Sequence, residues 1–133
     1  MRIRLIISIF LAFSILNVLG CRSAPIQDVE NVQVSIKKRD YTLDDVEKAI
    51  MRAGTMTPWH MEKDKPGVIL ATYIGPNAGY AASVTICYST ATYSIRFRTC
   101  SDNLRYGPGK IHRNYNVWVK NLDEAIRREM IAY

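Results

Sequence analysis

Two short segments constrain the fold of this chain more than any other feature. Ala82, Val84, Ile86 and Tyr88 alternate with Ser83, Thr85 and Cys87, and a few residues later Tyr93, Ile95 and Phe97 alternate with Ser94 and Arg96. A period of two places one set of side chains on each face of a strand, so both segments read as half-buried strands joined by a tight turn near Thr90-Ala91. In that register Val84 faces Phe97, Ile86 faces Ile95, and Cys87 faces Ser94. Such a hairpin cannot stand alone, because its apolar face needs a cover.

The flanking segments supply neighbours and cover. Val68 to Ile74 is apolar and β-rich on both faces, as a central strand requires, and Gly75-Pro76-Asn77-Ala78-Gly79 turns it into the hairpin. Asn31 to Ile36 alternates and is expected as the first strand of the domain. Met56 to Lys63 is a weaker strand at an edge, since Pro58 has no amide proton for a ladder. Between these lies a helix with Thr42 as N-cap, Asp44 and Asp45 in its first turn, and Gly54 past its end. Its stripe of Leu43, Val46, Ala49, Ile50 and Ala53 has helical spacing. A second helix is expected from about His112 to Ala132, with Ile111, Tyr115, Trp118, Leu122, Ala125 or Ile126, and Met130 as its apolar stripe. Asp123 with Arg127 and Glu124 with Arg128 support it at i,i+4 spacing. The order β-α-β-β-β-β-α implies an α+β fold: a largely antiparallel sheet of about five strands, two helices packed on one face, and the other face open.

The amino terminus has a different character. Met1-Arg2-Ile3-Arg4 is a short basic stretch, and Leu5 to Leu19 is uncharged and interrupted only by Ser8, Ser14 and Asn17. A membrane-spanning helix needs about 20 apolar residues, so this shorter run followed by Gly20 fits a cleaved secretory leader better than a permanent anchor. Three segments follow: a leader over 1–20, Cys21 with a polar tether to about Asn31, and one domain over 32–133. Removing Arg2 and Arg4 with the leader leaves 16 basic against 12 acidic residues, a net +4. That mild excess is scattered, with Lys37-Lys38-Arg39 and Arg127-Arg128 as its only runs, and no nucleic-acid recognition module accompanies it. Nucleic acid is therefore not an expected partner.

Val18-Leu19-Gly20-Cys21 resembles the lipobox of bacterial lipoproteins; the competing reading is an ordinary signal peptide with a cysteine at its boundary. The lipobox resemblance implies lipid attachment at Cys21, including the palmitate-type chains of that family, and hence a membrane partner. Each buried methylene contributes about 0.8 kcal/mol, so two or three chains anchor a protein stably. Arg22 follows the cysteine. In enteric-type bacteria an Asp there retains a lipoprotein at the inner membrane, so Arg22 points to the periplasmic face of the outer membrane. A wider resemblance, to small bacterial lipoproteins of unassigned function, rests on Ala81 to Tyr88, Tyr93-Ser94-Ile95, Ser101, Asn103-Leu104, Tyr106, and Ile111-His112-x-x-Tyr115-Asn116-x-Trp118-Val119. It carries no catalytic assignment to transfer.

Cys87 and Cys100 remain once Cys21 is assigned to lipid. In the hairpin register Cys100 lies six positions from the partner of Cys87, roughly 20 Å at about 3.4 Å per residue, whereas a disulfide needs Cα atoms within about 7 Å. Two free thiols are expected if the hairpin is right.

Few residues of the sequence are grouped as chemistry requires. His60 and His112 are isolated, no thiol pair has zinc spacing, and neither a phosphate-cradling glycine loop nor a nucleophile elbow is present. No cofactor, metal or catalytic residue is therefore expected, and the chain is not expected to be an enzyme. Two surfaces remain as candidates. The outer sheet face would carry Arg96 and Arg98 among Ser83, Thr85, Cys87 and Ser94, either as a solvated face or as a basic surface for an anionic glycan, a lipid headgroup or an acidic protein. Around the start of the last helix, His112, Tyr115 and Asn116 form either a recognition patch or, with Trp118, core anchors and helix caps. The expected function is a non-catalytic, membrane-anchored lipoprotein binding an envelope protein or other envelope component. The alternative is a periplasmic small-ligand carrier or minor hydrolase with a pocket near His112 and Tyr115. Pro58 and Lys63 on an edge strand favour a monomer.

Overall fold

A computed structural model describes residues 22–76 and 79–133. The leader, Cys21 and the middle of the turn at Asn77-Ala78 lie outside the described residues. The described residues form seven strands, two α-helices and one 3-10 turn: β1 (Ser23–Pro25), β2 (Val29–Gln33), α1 (Leu43–Thr55), β3 (Trp59–Lys65), β4 (Val68–Ile74), β5 (Ala81–Tyr88), β6 (Thr92–Cys100), the turn Asp102–Leu104, β7 (Lys110–His112) and α2 (Asn114–Ala132). Five strands make an antiparallel sheet in the order β2-β6-β5-β4-β3, and β1 pairs with β7 in a separate ribbon. The expected α+β architecture is present. Every described strand, helix and core residue lies between Ser23 and Ala132.

The β5–β6 hairpin has the register its alternation predicts: Val84 opposite Phe97, Ile86 opposite Ile95, and Cys87 opposite Ser94. A bulge at Ser83/Val84 then brings Cys100 opposite Ala82, and both thiols are free. Tyr88 and Tyr93 are cross-strand partners on the buried face. Their hydroxyls donate to Glu47 of α1 (2.6 Å) and to Asp123 of α2 (2.5 Å), which places both helices over that face.

Capping explains why α1 begins where it does. The Thr42 hydroxyl accepts from the Asp45 N–H while the Asp45 carboxylate accepts from the Thr42 N–H at 2.9 Å, a reciprocal pair contributing about 1 kcal/mol. That N–H, and then Lys38 at 3.1 Å, hold the Asp45 carboxyl below the usual carboxylate range. Val46, Ala49, Ile50 and Ala53 are fully buried, the stripe their spacing predicts. Gly54, expected beyond the helix, is instead inside its last turn. A Cβ there would stand 2.3 Å from the Met61 Cγ, so the glycine lets β3 approach the helix.

Several boundaries move. The first sheet strand is Val29–Gln33 and not Asn31–Ile36, because Asn31 adopts a positive φ of 52° at a bulge and its N–H donates to Ser94 Oγ at 3.0 Å. Ser94 is consequently buried rather than displayed. The edge strand starts at Trp59, after Pro58, and α2 starts at Asn114, leaving Ile111 and His112 in β7. The tether expected up to Asn31 is also overturned for Ser23 onward. β1 pairs with β7, and Asn116 clamps the next residues, its Nδ2 donating to Pro25 O (2.9 Å) and its Oδ1 accepting from Gln27 N–H (3.1 Å).

Candidate functional site

The five candidate surface residues separate into different roles. Tyr115 is fully buried, with its ring edge-on to Phe97 at 5.6 Å and 83°, and burial pushes its phenol up. It is a core anchor. Asn116 is committed to the N-terminal segment as described. Arg96 makes a two-pronged bond to Glu30 (2.8 and 2.9 Å) that raises the guanidinium and neutralises its charge on the outer face. Arg98 is exposed and borders a cavity at the end of β6. His112 lies in a cleft with Tyr73, Tyr80 and Trp118.

That cleft, about 260 Å³, is lined by Tyr73, Gly75, Pro76, Tyr80, Leu104, His112, Asn114 and Trp118. Four local features build it. Tyr73 stands one residue before the end of β4, an interior strand next to the β3 edge, where alternation turns it to the helix side, and Trp118 of α2 stacks on it with centroids 4.1 Å apart and planes 14° from parallel. Trp59 supports the pair from behind, its ring edge-on to Tyr73 at 5.5 Å and its Nε1–H donating to Trp118 O at 3.2 Å. On the opposite wall, Gly75 N–H donates to Tyr80 O (2.9 Å), and a Cβ on Gly75 would come within 3.1 Å of the Tyr80 Cβ. Glycine therefore allows Tyr80 to close that side. Ser101 fixes the floor: its Oγ accepts from Ala81 N–H (3.1 Å) and donates to Asn103 Oδ1 (2.6 Å), holding the turn that buries Leu104.

The His112 ring lies 6.4 Å from Tyr80 and 6.0 Å from Tyr106, tilted to both. Its Nδ1 accepts from Asn114 N–H at 3.2 Å, so the neutral ring carries its proton on Nε2 and offers a donor. The walls thus combine flat aromatic faces with a few polar groups and no carboxylate. Among the described residues no group of three His, Cys, Asp or Glu is placed to hold a metal ion, and no helix is long and apolar enough to cross a membrane. This arrangement can bind a ring by stacking and orient it with one or two hydrogen bonds.

His112 and Trp118 were legible as a polar-aromatic cluster in the sequence. Tyr73 and Tyr80 were not, although their positions on either side of Gly75-Pro76 and Gly79 are the signal that would have found them. Comparisons of the chain with protein families, curated proteins and solved structures found no match.

Proposed function

We propose that this protein is a membrane-anchored envelope lipoprotein whose domain binds, without catalysis, a sugar ring of an envelope glycan in the Tyr73–Trp118 cleft. The supporting observation is the half-exposed Trp118 stacked on Tyr73 opposite Tyr80 and His112. An aromatic face carries a partial negative charge, which attracts the C–H face of a pyranose, while His112 and Asn114 supply polar contacts for its hydroxyls. A cleft of about 260 Å³ suits one ring rather than an extended small molecule. It favours this reading over the outer sheet face, where Glu30 satisfies Arg96.

Trp118→Ala should weaken co-sedimentation with purified cell-wall glycan about tenfold, or about 1.4 kcal/mol, with Trp118→Phe retaining most of the binding and Arg96→Glu leaving it unchanged. Equal binding by a folded Trp118→Ala chain would sink the cleft. The anchoring half of the proposal rests on the lipobox resemblance at Cys21. Cys21→Ala should abolish lipid labelling and either release the domain or leave its precursor uncleaved, whereas labelling and membrane retention like those of the parent chain would refute it.

A further inference from the structure

We infer that the side of the domain carrying the β1–β7 ribbon, through which the chain enters, is a bilayer-facing surface, in which Arg98, Arg105 and Lys110 bind the phosphate groups of anionic phospholipids. These three exposed cations line one cavity of about 500 Å³, together with Ile26, Phe97 and the Gly107-Pro108-Gly109 turn. They lie within thirteen residues of one another but on three different pieces of backbone. Arg98 stands at the β6 bulge, Arg105 bridges to Ile111, and Lys110 pairs with Pro25 in the β1–β7 ribbon. The turn that presents them is tight: Tyr106 N–H donates to Lys110 O and Lys110 N–H to Gly107 O, both at 3.2 Å, and Gly107 and Gly109 hold φ of 112° and 68°.

Charge distribution sets this end apart. Among the described residues Lys38, Lys48, Arg52, Lys63, Arg96 and Arg127 each pair with a carboxylate, whereas none of the ion pairs involves Arg98, Arg105 or Lys110; Lys37, Arg39, Lys65, Lys120 and Arg128, also outside the ion pairs, do not line this cavity. Asp102 is not among the cavity's lining residues, and the Asp28 carboxylate, also outside that lining, accepts from the N–H of Phe97 at 2.8 Å, one residue before Arg98. Two further exposed cations lie at the ribbon's other end, where Arg113 N–H donates to Arg22 O at 3.0 Å, about 10 Å from Lys110 at about 3.4 Å per residue.

The occupant follows from where the chain enters. Consecutive Cα atoms are about 3.8 Å apart, so Cys21, the proposed point of lipid attachment, is within that distance of Arg22 and therefore of the cationic ribbon. A chain anchored there brings this face to the headgroups, whose phosphates match the unpaired cations in sign. Leu104 lines the aromatic cleft and the next residue, Arg105, lines the cationic cavity, so the same segment walls both. Docking on the bilayer would hold the cleft in one orientation at the membrane surface. The setting rests on the envelope-anchored reading, but the test dispenses with the anchor.

A chain beginning at Arg22, which keeps every described strand, helix and core residue, is floated with phosphatidylcholine vesicles with and without phosphatidylglycerol. Binding is expected only with phosphatidylglycerol. It should be strong at roughly 0.01 M salt and lost at roughly 1 M, where the screening length falls from about 30 Å to about 3 Å. Combined Arg98→Glu, Arg105→Glu and Lys110→Glu substitutions should lower partitioning about 100-fold, at about fivefold per cation near an anionic surface. Lys37→Glu, Arg39→Glu and Lys120→Glu together change net charge equally and should cost far less. If the first triple variant fails to fold by circular dichroism, the corresponding glutamine variant replaces it. Equal losses in the two sets, or equal binding to both vesicle types, overturns the proposal. So does saturable binding of inorganic phosphate with no vesicle binding, which would identify a soluble phosphate ligand. Because the assay lacks leader and lipid, its failure leaves the Cys21 reading to its own experiment.

Discussion

Tyr115→Ala should destabilise the domain by about 3–5 kcal/mol, a large part of the roughly 5–15 kcal/mol available to a small domain. The ring is fully buried, packed edge-on against Phe97 beneath the start of α2, and its loss leaves a cavity between helix and sheet. At about 4 °C per kcal/mol the melting temperature should fall by about 12–20 °C. Tyr115→Phe keeps the ring and its contact with Phe97 and should cost far less. Thermal unfolding followed by circular dichroism separates the two roles considered for this residue. A Tyr115→Ala chain that melts like its parent but loses a ligand would return it to the binding surface.

The second large effect is alkaline unfolding above about pH 10. Burial raises Tyr88, Tyr93 and Tyr115, Tyr88 to about 12, and the bonds from Tyr88 to Glu47 and from Tyr93 to Asp123 reinforce the neutral phenol. Unfolded tyrosines ionise near pH 10. Above that value the unfolded chain releases protons that the folded chain retains, so the slope of stability against pH is negative. Phenolate absorbance equivalent to three of the eight tyrosines should therefore appear together with loss of ellipticity. Release of those phenolates from a chain that remains folded contradicts the burial argument. The acid limb has the opposite sign. Lys63, then Tyr88, hold the Glu47 carboxyl below its ordinary value of 4.5, and Thr42 with Lys38 do the same for Asp45. Their contribution is present above the unfolded values and is lost as pH falls through the folded ones.

Local periodicity carried most of the fold. The β5–β6 register, the α1 cap and stripe, and the sheet with two helices on one face all follow from alternation, helical spacing and capping chemistry, interactions that span a few residues. Errors lie where a distant partner decides. Residues Ser23 to Gln27 have the composition of a tether, yet β7 and Asn116, some ninety positions away, fold them into the domain. Gly54 reads as a helix stop until Met61 is placed against it. Arg96 reads as a free charge until the β2 bulge brings Glu30 to it.

The candidate sites divide along the same line. A cluster around His112 and Trp118 was visible because those residues are neighbours in sequence, but Tyr73 and Tyr80 join them only through strand pairing and the turn at Gly75. Arg98, Arg105 and Lys110 likewise form one cationic surface only after the β6 bulge and the β1–β7 ribbon bring them together. Near-neighbour pattern specifies which segments become strands and helices and which faces are apolar, because backbone geometry repeats every two or 3.6 residues. Which polar residues end up paired, buried or displayed is settled by contacts between segments far apart in the chain, and no local pattern encodes those contacts.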